Sequence, residues 1–260
     1  MSSTMRTLSV AALLIIPLII SQIASATDQI KVLLISGQNN HNWRVTTPLI
    51  VSALKVTERF EVVVCNEIEK MNPEALSGFD VIVSNWNLWK LRKAIPDSLQ
   101  WSDELKAAYV DFVKLGGGHV VMHAGSSTFY DWPDYQEICV ATWAHGTHHG
   151  PSHEFEVRID TQEHPVTKGL SNFNKWDELW EQVHVSAENF TVLTSSYASS
   201  QFKGNDVWEP STFVAQFGRG RTAYTSFGHG PKAFKSHNFN VLLARLVEWA
   251  ATGAVTIPAR

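Results

Sequence analysis

Ser102-Asp103-Glu104-Leu105-Lys106-Ala107-Ala108-Tyr109-Val110-Asp111-Phe112-Val113-Lys114-Leu115-Gly116-Gly117-Gly118-His119-Val120-Val121-Met122 reads as a capped helix, a stop and a buried strand. Leu105, Ala108, Tyr109, Phe112 and Leu115 recur every three or four residues and form one apolar stripe, while Asp103, Glu104, Lys106 and Lys114 take the opposite face. Ser102 is an N-cap type, and the three glycines end the helix. His119 to Met122 is short and without alternation. Such a run suits a strand covered on both faces, hence a parallel sheet.

Working outward, Ile30 to Ile35, Phe60 to Cys65 and Phe79 to Ser84 are runs of the same kind. Between the first two, Thr47 is positioned to cap a helix with Pro48 in its first turn and Ile50, Ala53 and Leu54 on one face. Strands alternating with helices predict a doubly wound α/β fold. The second half is richer in strands, expected at Glu154 to Ile159, Glu178 to Val183, Thr191 to Thr194, Thr212 to Gln216 and Arg221 to Ser226. Phe217-Gly218-Arg219-Gly220 makes a hairpin of the last two. A final helix is expected from Phe239 to Ala251. No repeat or linker divides residues 27–260, which read as one domain.

The 260 residues carry a net charge of −4 and only 18% charged residues, so no basic surface is available for a phosphate backbone and nucleic acid is excluded as a partner. Apolar content of 44% is enough for a core, which excludes disorder. Residues 1–26 read as an export signal: Arg6 begins it, Leu8 to Ile20 is apolar, and Ala24-Ser25-Ala26 is a cleavage site. The mature chain is then expected to start near Thr27, periplasmic or extracellular and free of the membrane, which N-terminal sequencing reads directly. The apolar run is shorter than the roughly 20 residues a bilayer span needs. Export permits a disulfide, but Cys65 and Cys139 read as two separate buried thiols.

Several chemistries fail on spacing. Gly116-Gly117-Gly118 follows a helix, whereas a phosphate loop follows a strand and opens one. His123-Ala124-Gly125-Ser126-Ser127 is not a Gly-x-Ser-x-Gly elbow, and His153-Glu154 does not continue to His-Glu-x-x-His. What remains is histidine. His41 follows the first strand, His123 ends the fourth, His145, His148 and His149 share a glycine-rich loop, and His229 follows the last hairpin. Ligands of open α/β sheets sit at these carboxyl ends. Imidazoles gathered there either bind a divalent metal, zinc first among the candidates, or serve as acid and base. Asp131, Asp177 and Glu178 are the carboxylates to complete the set. Adjacent side chains diverge, so one of His148 and His149 at most is expected in a shared site. Trp43, Trp86, Trp89, Trp132 and Trp143 fall in loops after strands. An indole face suits a sugar ring, and Trp43, Trp132 and Trp143 are the expected contacts.

These residues resemble the ThuA-like, trehalose-utilisation family, from about Lys31 to Thr252. The resemblance lies in Lys31 to Gly37 with His41 and Trp43, Phe112 to Gly118, His123-Ala124, Thr128-Phe129-Tyr130-Asp131-Trp132-Pro133, His164-Pro165, Asp177-Glu178-Leu179, Gly218-Arg219-Gly220-Arg221 and Tyr224 to His229. It implies a class I glutamine amidotransferase-like, flavodoxin-like sheet, with His41, His123, Glu178, His229 and the loop of His145 around a pocket. Amidotransferases of this fold keep a cysteine nucleophile after the strand that ends here at His123. This chain has none, so glutaminase activity is not expected.

Two functions follow as expectations. One is an exported hydrolase or lyase acting on a sugar or 3-keto-glycoside, with His123, His229 and Glu178 as catalytic groups and His41, His123, His145 and His229 as metal ligands. The other is a non-catalytic carbohydrate-binding accessory protein using the same residues. Either takes a small sugar or oligosaccharide, and the oligomeric state is left open.

Overall fold

The computed structural model describes residues 29–55 and 57–259; the expected signal and its cleavage site lie outside them. The strands are β1 (Ile30–Ile35), β2 (Phe60–Cys65), β3 (Val81–Ser84), β4 (Gly118–Met122), β5 (Ala141–Thr142), β6 (His148–His149), β7 (His153–Ile159), β8 (Phe173–Asp177), β9 (Trp180–Glu181), β10 (His184–Val185), β11 (Phe190–Ala198), β12 (Val207–Phe217) and β13 (Gly220–Thr225). The helices are α1 (Trp43–Leu54), α2 (Asp103–Lys114), α3 (Pro133–Ile138) and α4 (His237–Thr252).

Nine strands form one mixed sheet in the order β2-β1-β3-β4-β13-β12-β11-β7-β8. The first five are parallel, with Val32 beside Val81 and Val121 beside Tyr224, and the rest are antiparallel. Alternation divides the core. Val32 and Leu34 pack with Ile50, Leu242 and Leu246 on one side, and Leu33 and Ile35 lie in the cluster of Leu105, Tyr109 and Ile138 on the other. Helices therefore cover both faces, as the unbroken apolar runs require. Ser102 caps α2 as expected, its hydroxyl accepting from the Leu105 N–H. Gly218, at φ +59°, makes the β12–β13 turn, where a Cβ would lie 2.6 Å from the Lys114 carbonyl oxygen. Among the described residues no helix is long and apolar enough to cross a membrane. Both cysteines are free, Cys139 buried and Cys65 half-buried.

Two expectations are corrected. α1 begins at Trp43, because the Asn42 carbonyl accepts the Val45 and Thr46 N–H groups at 3.0 and 3.1 Å. Thr47 is then inside the helix, its hydroxyl 2.5 Å from that of Ser36, and it ties α1 to the end of β1 instead of capping. The strand expected from Glu178 to Val183 is replaced by β8, which stops at Asp177, and the short β9 and β10. Gln182 sits at φ +53°, which breaks extended backbone, and the Asp177 carboxylate is committed to another loop.

That commitment brings the site together. Asp177 accepts the N–H groups of Gly228 and His229 at 2.8 and 3.1 Å, although β8 and β13 are four places apart in the sheet. The antiparallel half therefore curls, and the end of β8 meets the carboxyl edge of the parallel half.

His119 gives the fold an acid sensitivity. Its ring is fully buried and joined to the Tyr109 hydroxyl by a 2.7 Å hydrogen bond, and burial lowers its pKa to about 3. Above pH 6.5 the ring is neutral in folded and unfolded chains alike. As pH falls from there toward 3, the unfolded chain takes up a proton that the folded chain refuses, so stability falls by up to about 1.4 kcal/mol per unit. Denaturant titration at pH 7 and pH 5 should show wild type losing about 2 kcal/mol more than His119→Gln. Equal losses would show that His119 is not the group responsible.

Candidate functional site

Four side chains converge at the carboxyl edge of the sheet: His41 after β1, His123 after β4, Glu178 after β8 and His229 after β13. Their nearest ligand atoms all lie within 4.8 Å of one another, with His123 and Glu178 buried and the other two half-buried. His123 Nε2 is 3.5 Å from Glu178 Oε2 and 3.4 Å from His229 Nδ1, and His229 Nδ1 is 3.3 Å from the same carboxylate oxygen. These three atoms form a nearly equilateral triangle.

The tautomers follow from the surrounding acceptors. His123 Nδ1 donates to the Ser226 carbonyl at 2.6 Å, which leaves Nε2 with a bare lone pair facing the group. His41 Nδ1 donates to Asn39 Oδ1 at 3.3 Å, and Asn39 is oriented by its own Nδ2 donating to the Asn85 carbonyl at 3.0 Å. His41 therefore also keeps Nε2 unprotonated. The Trp180 indole N–H donates to Glu178 Oε2 at 3.0 Å, and the Trp180 ring lies 4.3 Å from that of His123. His123 is held at φ +45°, a left-handed conformation that is strained without a glycine.

Charge is arranged to match. Burial, with His123 and His229 alongside, lowers the His41 pKa to about 3, so that ring stays neutral. Burial pushes the Glu178 carboxyl up, but the His123 and His229 rings, which attract the carboxylate whenever they carry a proton toward it, and the Trp180 N–H outweigh it and hold the group well below the usual carboxylate range. Hydrogen bonding to Glu178 raises His229. An anion faced by imidazole lone pairs is repulsive unless a proton or a cation lies between them. Across a tetrahedral ion with bonds of about 2.0–2.2 Å, ligand atoms stand roughly 3.4 Å apart. The 3.3–3.5 Å triangle has that spacing, and three imidazoles with a carboxylate are a usual donor set for a first-row divalent metal. The widest pair, at up to 4.8 Å, has to close by about 1.4 Å to join them. The group can hold a metal ion.

The other expected residues separate. His145 is exposed at the tip of a turn closed by the Thr147 N–H on the Ala144 carbonyl, and it does not join the group. Its loop contributes through β6 instead. His149 pairs with Trp180 across β6 and β9, and its Nδ1 stands 3.2 Å from Glu178 Oε1, while His148 faces Glu181 at 3.5 Å. Successive residues of a strand point to opposite sides, so one of the two reaches the site. Asp131 is exposed and outside the group.

Among the tryptophans, Trp143 lines a cavity of about 120 Å³ together with Trp89, Trp180, His41, His149 and Glu178. Trp132 packs among Trp101, Phe129 and Tyr135 in the core, and Trp43 starts α1 with the Arg44 guanidinium 4.3 Å over its ring. Neither lines the cavity. Sequence reading missed Trp180, whose signal was its place two residues after Glu178, and Lys175, a lone cation at an inward position of β8. A larger groove, about 630 Å³, lies at the far edge of the sheet beside Leu76, Phe112 and Gly117 and contains no histidine or cysteine.

The turn His123–Ser126 follows β4 and contains no cysteine. Burial in the core pushes the Cys139 thiol up, so neither group supplies a thiolate.

The structure is similar to a putative ThuA-like protein from Parabacteroides merdae, 28% identical with a TM-score of 0.76 over 88% of this chain and 92% of that one. It is also similar to a putative ThuA-like protein from Bacteroides uniformis, 21% identical with a TM-score of 0.63 over 87% and 94%. A cytoplasmic protein from Salmonella typhimurium LT2, 14% identical with a TM-score of 0.61 over 86% and 100%, shares the fold. No curated protein is significantly similar to the chain. Residues 31–250 match the family described as ThuA, trehalose utilisation, and with the parallel core and the site at its carboxyl edge in place, the chain belongs to that family.

Proposed function

We propose that this protein is an enzyme of carbohydrate metabolism, a lyase or hydrolase that processes a sugar or 3-keto-glycoside with a divalent cation, zinc before other metals, held by His41, His123, Glu178 and His229. The observation that carries the reading is the 3.3–3.5 Å triangle of His123 Nε2, His229 Nδ1 and Glu178 Oε2 at the wall of a cavity lined with indoles. Its volume of about 120 Å³ is small against the roughly 300–1,000 Å³ of sites for larger ligands, which suits a single sugar ring. Trp89 and Trp143, both half-buried, offer apolar ring surface to the C–H side of the sugar. Outside the cytoplasm is where Arg6 and Ala24-Ser25-Ala26 would place the work.

A keto group at C3 makes the C2 hydrogen acidic. A base takes that proton, the electron pair left behind expels the C1 substituent, and the departing oxygen leaves with a proton. A bound cation supplies Lewis-acid stabilisation of the charge that develops on the keto oxygen. With four side chains holding the ion, His149 on the cavity wall is left to move the proton. Its Nδ1 donates to the Gly150 carbonyl at 2.7 Å, so Nε2 is the basic nitrogen.

The test is turnover of a 3-keto-glucoside but not of the parent glucoside, lost in His123→Ala and in His229→Ala while both variants remain folded. Equal turnover of the two substrates would indicate an ordinary glycosidase instead. Glycan binding without turnover of either would favour the accessory-protein reading.

A further inference from the structure

We propose that the outer face of the antiparallel half is a second glycan-binding surface, a platform for an unbranched neutral gluco-oligosaccharide whose end reaches the cation site. The ligand class rests on the sugar reading above; the surface itself is read from the side chains on strands β8, β7, β11 and β12.

Tyr197 and Trp208 are cross-strand partners with ring centroids 5.5 Å apart, and Tyr197 is 38% exposed. They line a cavity of about 430 Å³ whose floor includes the carboxylates of Glu154 and Glu156, with Gln201 and Phe202 at its side. His153, at its wall, is 6% exposed; its Nδ1 donates to the Pro151 carbonyl at 2.9 Å and its Nε2 meets no partner. His153 alternates with the outward Glu154 on β7 and turns inward, its ring stacked 3.9 Å from that of Phe202, so the contacts offered to a ligand are those of the outward residues.

The surface continues toward the cation site. Glu154 is the cross-strand partner of Trp176, which is 39% exposed and carries Lys232 Nζ 4.1 Å over its ring. Trp176, Ser152 and Lys232 line a second cavity of about 320 Å³ that includes His229. From Trp208 to Trp176 the track crosses four strands, three spacings or about 14 Å, the length of roughly three sugar rings.

Aromatic faces interrupted by carboxylates point to sugar rather than protein. A protein interface core is depleted of charge and wants contiguous apolar area, and Glu154 and Glu156 lie in the middle of this face. A pyranose offers C–H groups to the rings and hydroxyl donors to the carboxylates in the same footprint.

Calorimetric titration of the full chain with glucose, maltohexaose and cellohexaose tests the proposal. One hexasaccharide should bind at least tenfold more tightly than glucose, and the gain should disappear in the Tyr197→Ala, Trp208→Ala double variant with bound zinc unchanged. Exposed Tyr197→Ala alone and Glu154→Gln should each lose part of the gain, which covers a double variant that fails to fold. Hexasaccharides no tighter than glucose, or a gain that survives both single variants, overturn the proposal. So does a shift from dimer to monomer in these variants without any effect on glycan binding, which would make the face a contact between copies. A Tyr197-dependent gain in a protein that turns over no keto-glucoside leaves the platform standing and removes the catalytic reading, and the converse result removes the platform alone.

Discussion

Glu178→Gln should lower zinc affinity by at least about a hundredfold and reduce turnover of a keto-glucoside to background. The floor on this figure comes from losses of about 10–100-fold when only an outer-shell partner of a metal ligand is removed. Glutamine keeps the shape and an oxygen to accept the Trp180 N–H, now 3.0 Å from Oε2, but it removes the one anion among the four ligand residues. Equilibrium dialysis followed by elemental analysis measures the effect. Zinc retained at the wild-type level would sink the metal assignment. Binding should also weaken on acidification, with the sign set by His229. Hydrogen bonding to Glu178 raises its pKa, and a ligand nitrogen must shed its proton before it can hold an ion.

The second large effect is expected at Asp177. Its carboxylate pairs with the fully buried Lys175 ammonium and also receives the N–H groups of Glu178, Gly228 and His229. Lys175 Nζ in turn lies 4.3 and 4.1 Å over the Phe227 and Phe239 rings, and burial pushes its amine pKa down. Asp177→Ala leaves that cation uncompensated, at a cost of about 3–5 kcal/mol. For a domain of this size the melting temperature should fall by roughly 10 °C. Replacing both partners, Lys175→Met with Asp177→Leu, should recover part of the stability because neither buried charge remains, although three N–H groups still lack their acceptor. It should not recover zinc binding, because the backbone anchor of His229 is still missing. Recovery of both would show that Asp177 is a stability element alone and does not position the site.

The parallel half was legible because its signals are local. Ile30 to Ile35 is apolar at nearly every position, Ser102 precedes a stripe of three- and four-residue spacing, and three glycines stop it, so each segment declares its own structure before it meets a neighbour. The histidines at strand ends were legible for the same reason. In an open α/β sheet, the end of a strand is the edge where ligands sit. His41, His123 and His229 were singled out this way, whereas Glu178, expected to open a strand, stood beside Asp131 and Asp177 as a carboxylate candidate and was set apart by the family resemblance.

Side-chain direction inside the loops was not legible, because pairing with distant segments sets it. His149 rather than His145 faces Glu178 because β6 pairs with β9, and a strand turns successive side chains to opposite sides. Trp180 became a wall of the cavity and Trp132 a core residue, although both are indoles among polar neighbours in the sequence. The break after Asp177 likewise depends on two N–H groups some fifty residues downstream. Element type follows from periodicity along a few turns of chain, whereas the convergence of ligands follows from the curl of a nine-stranded sheet. That curl exists only once strands far apart in sequence have paired.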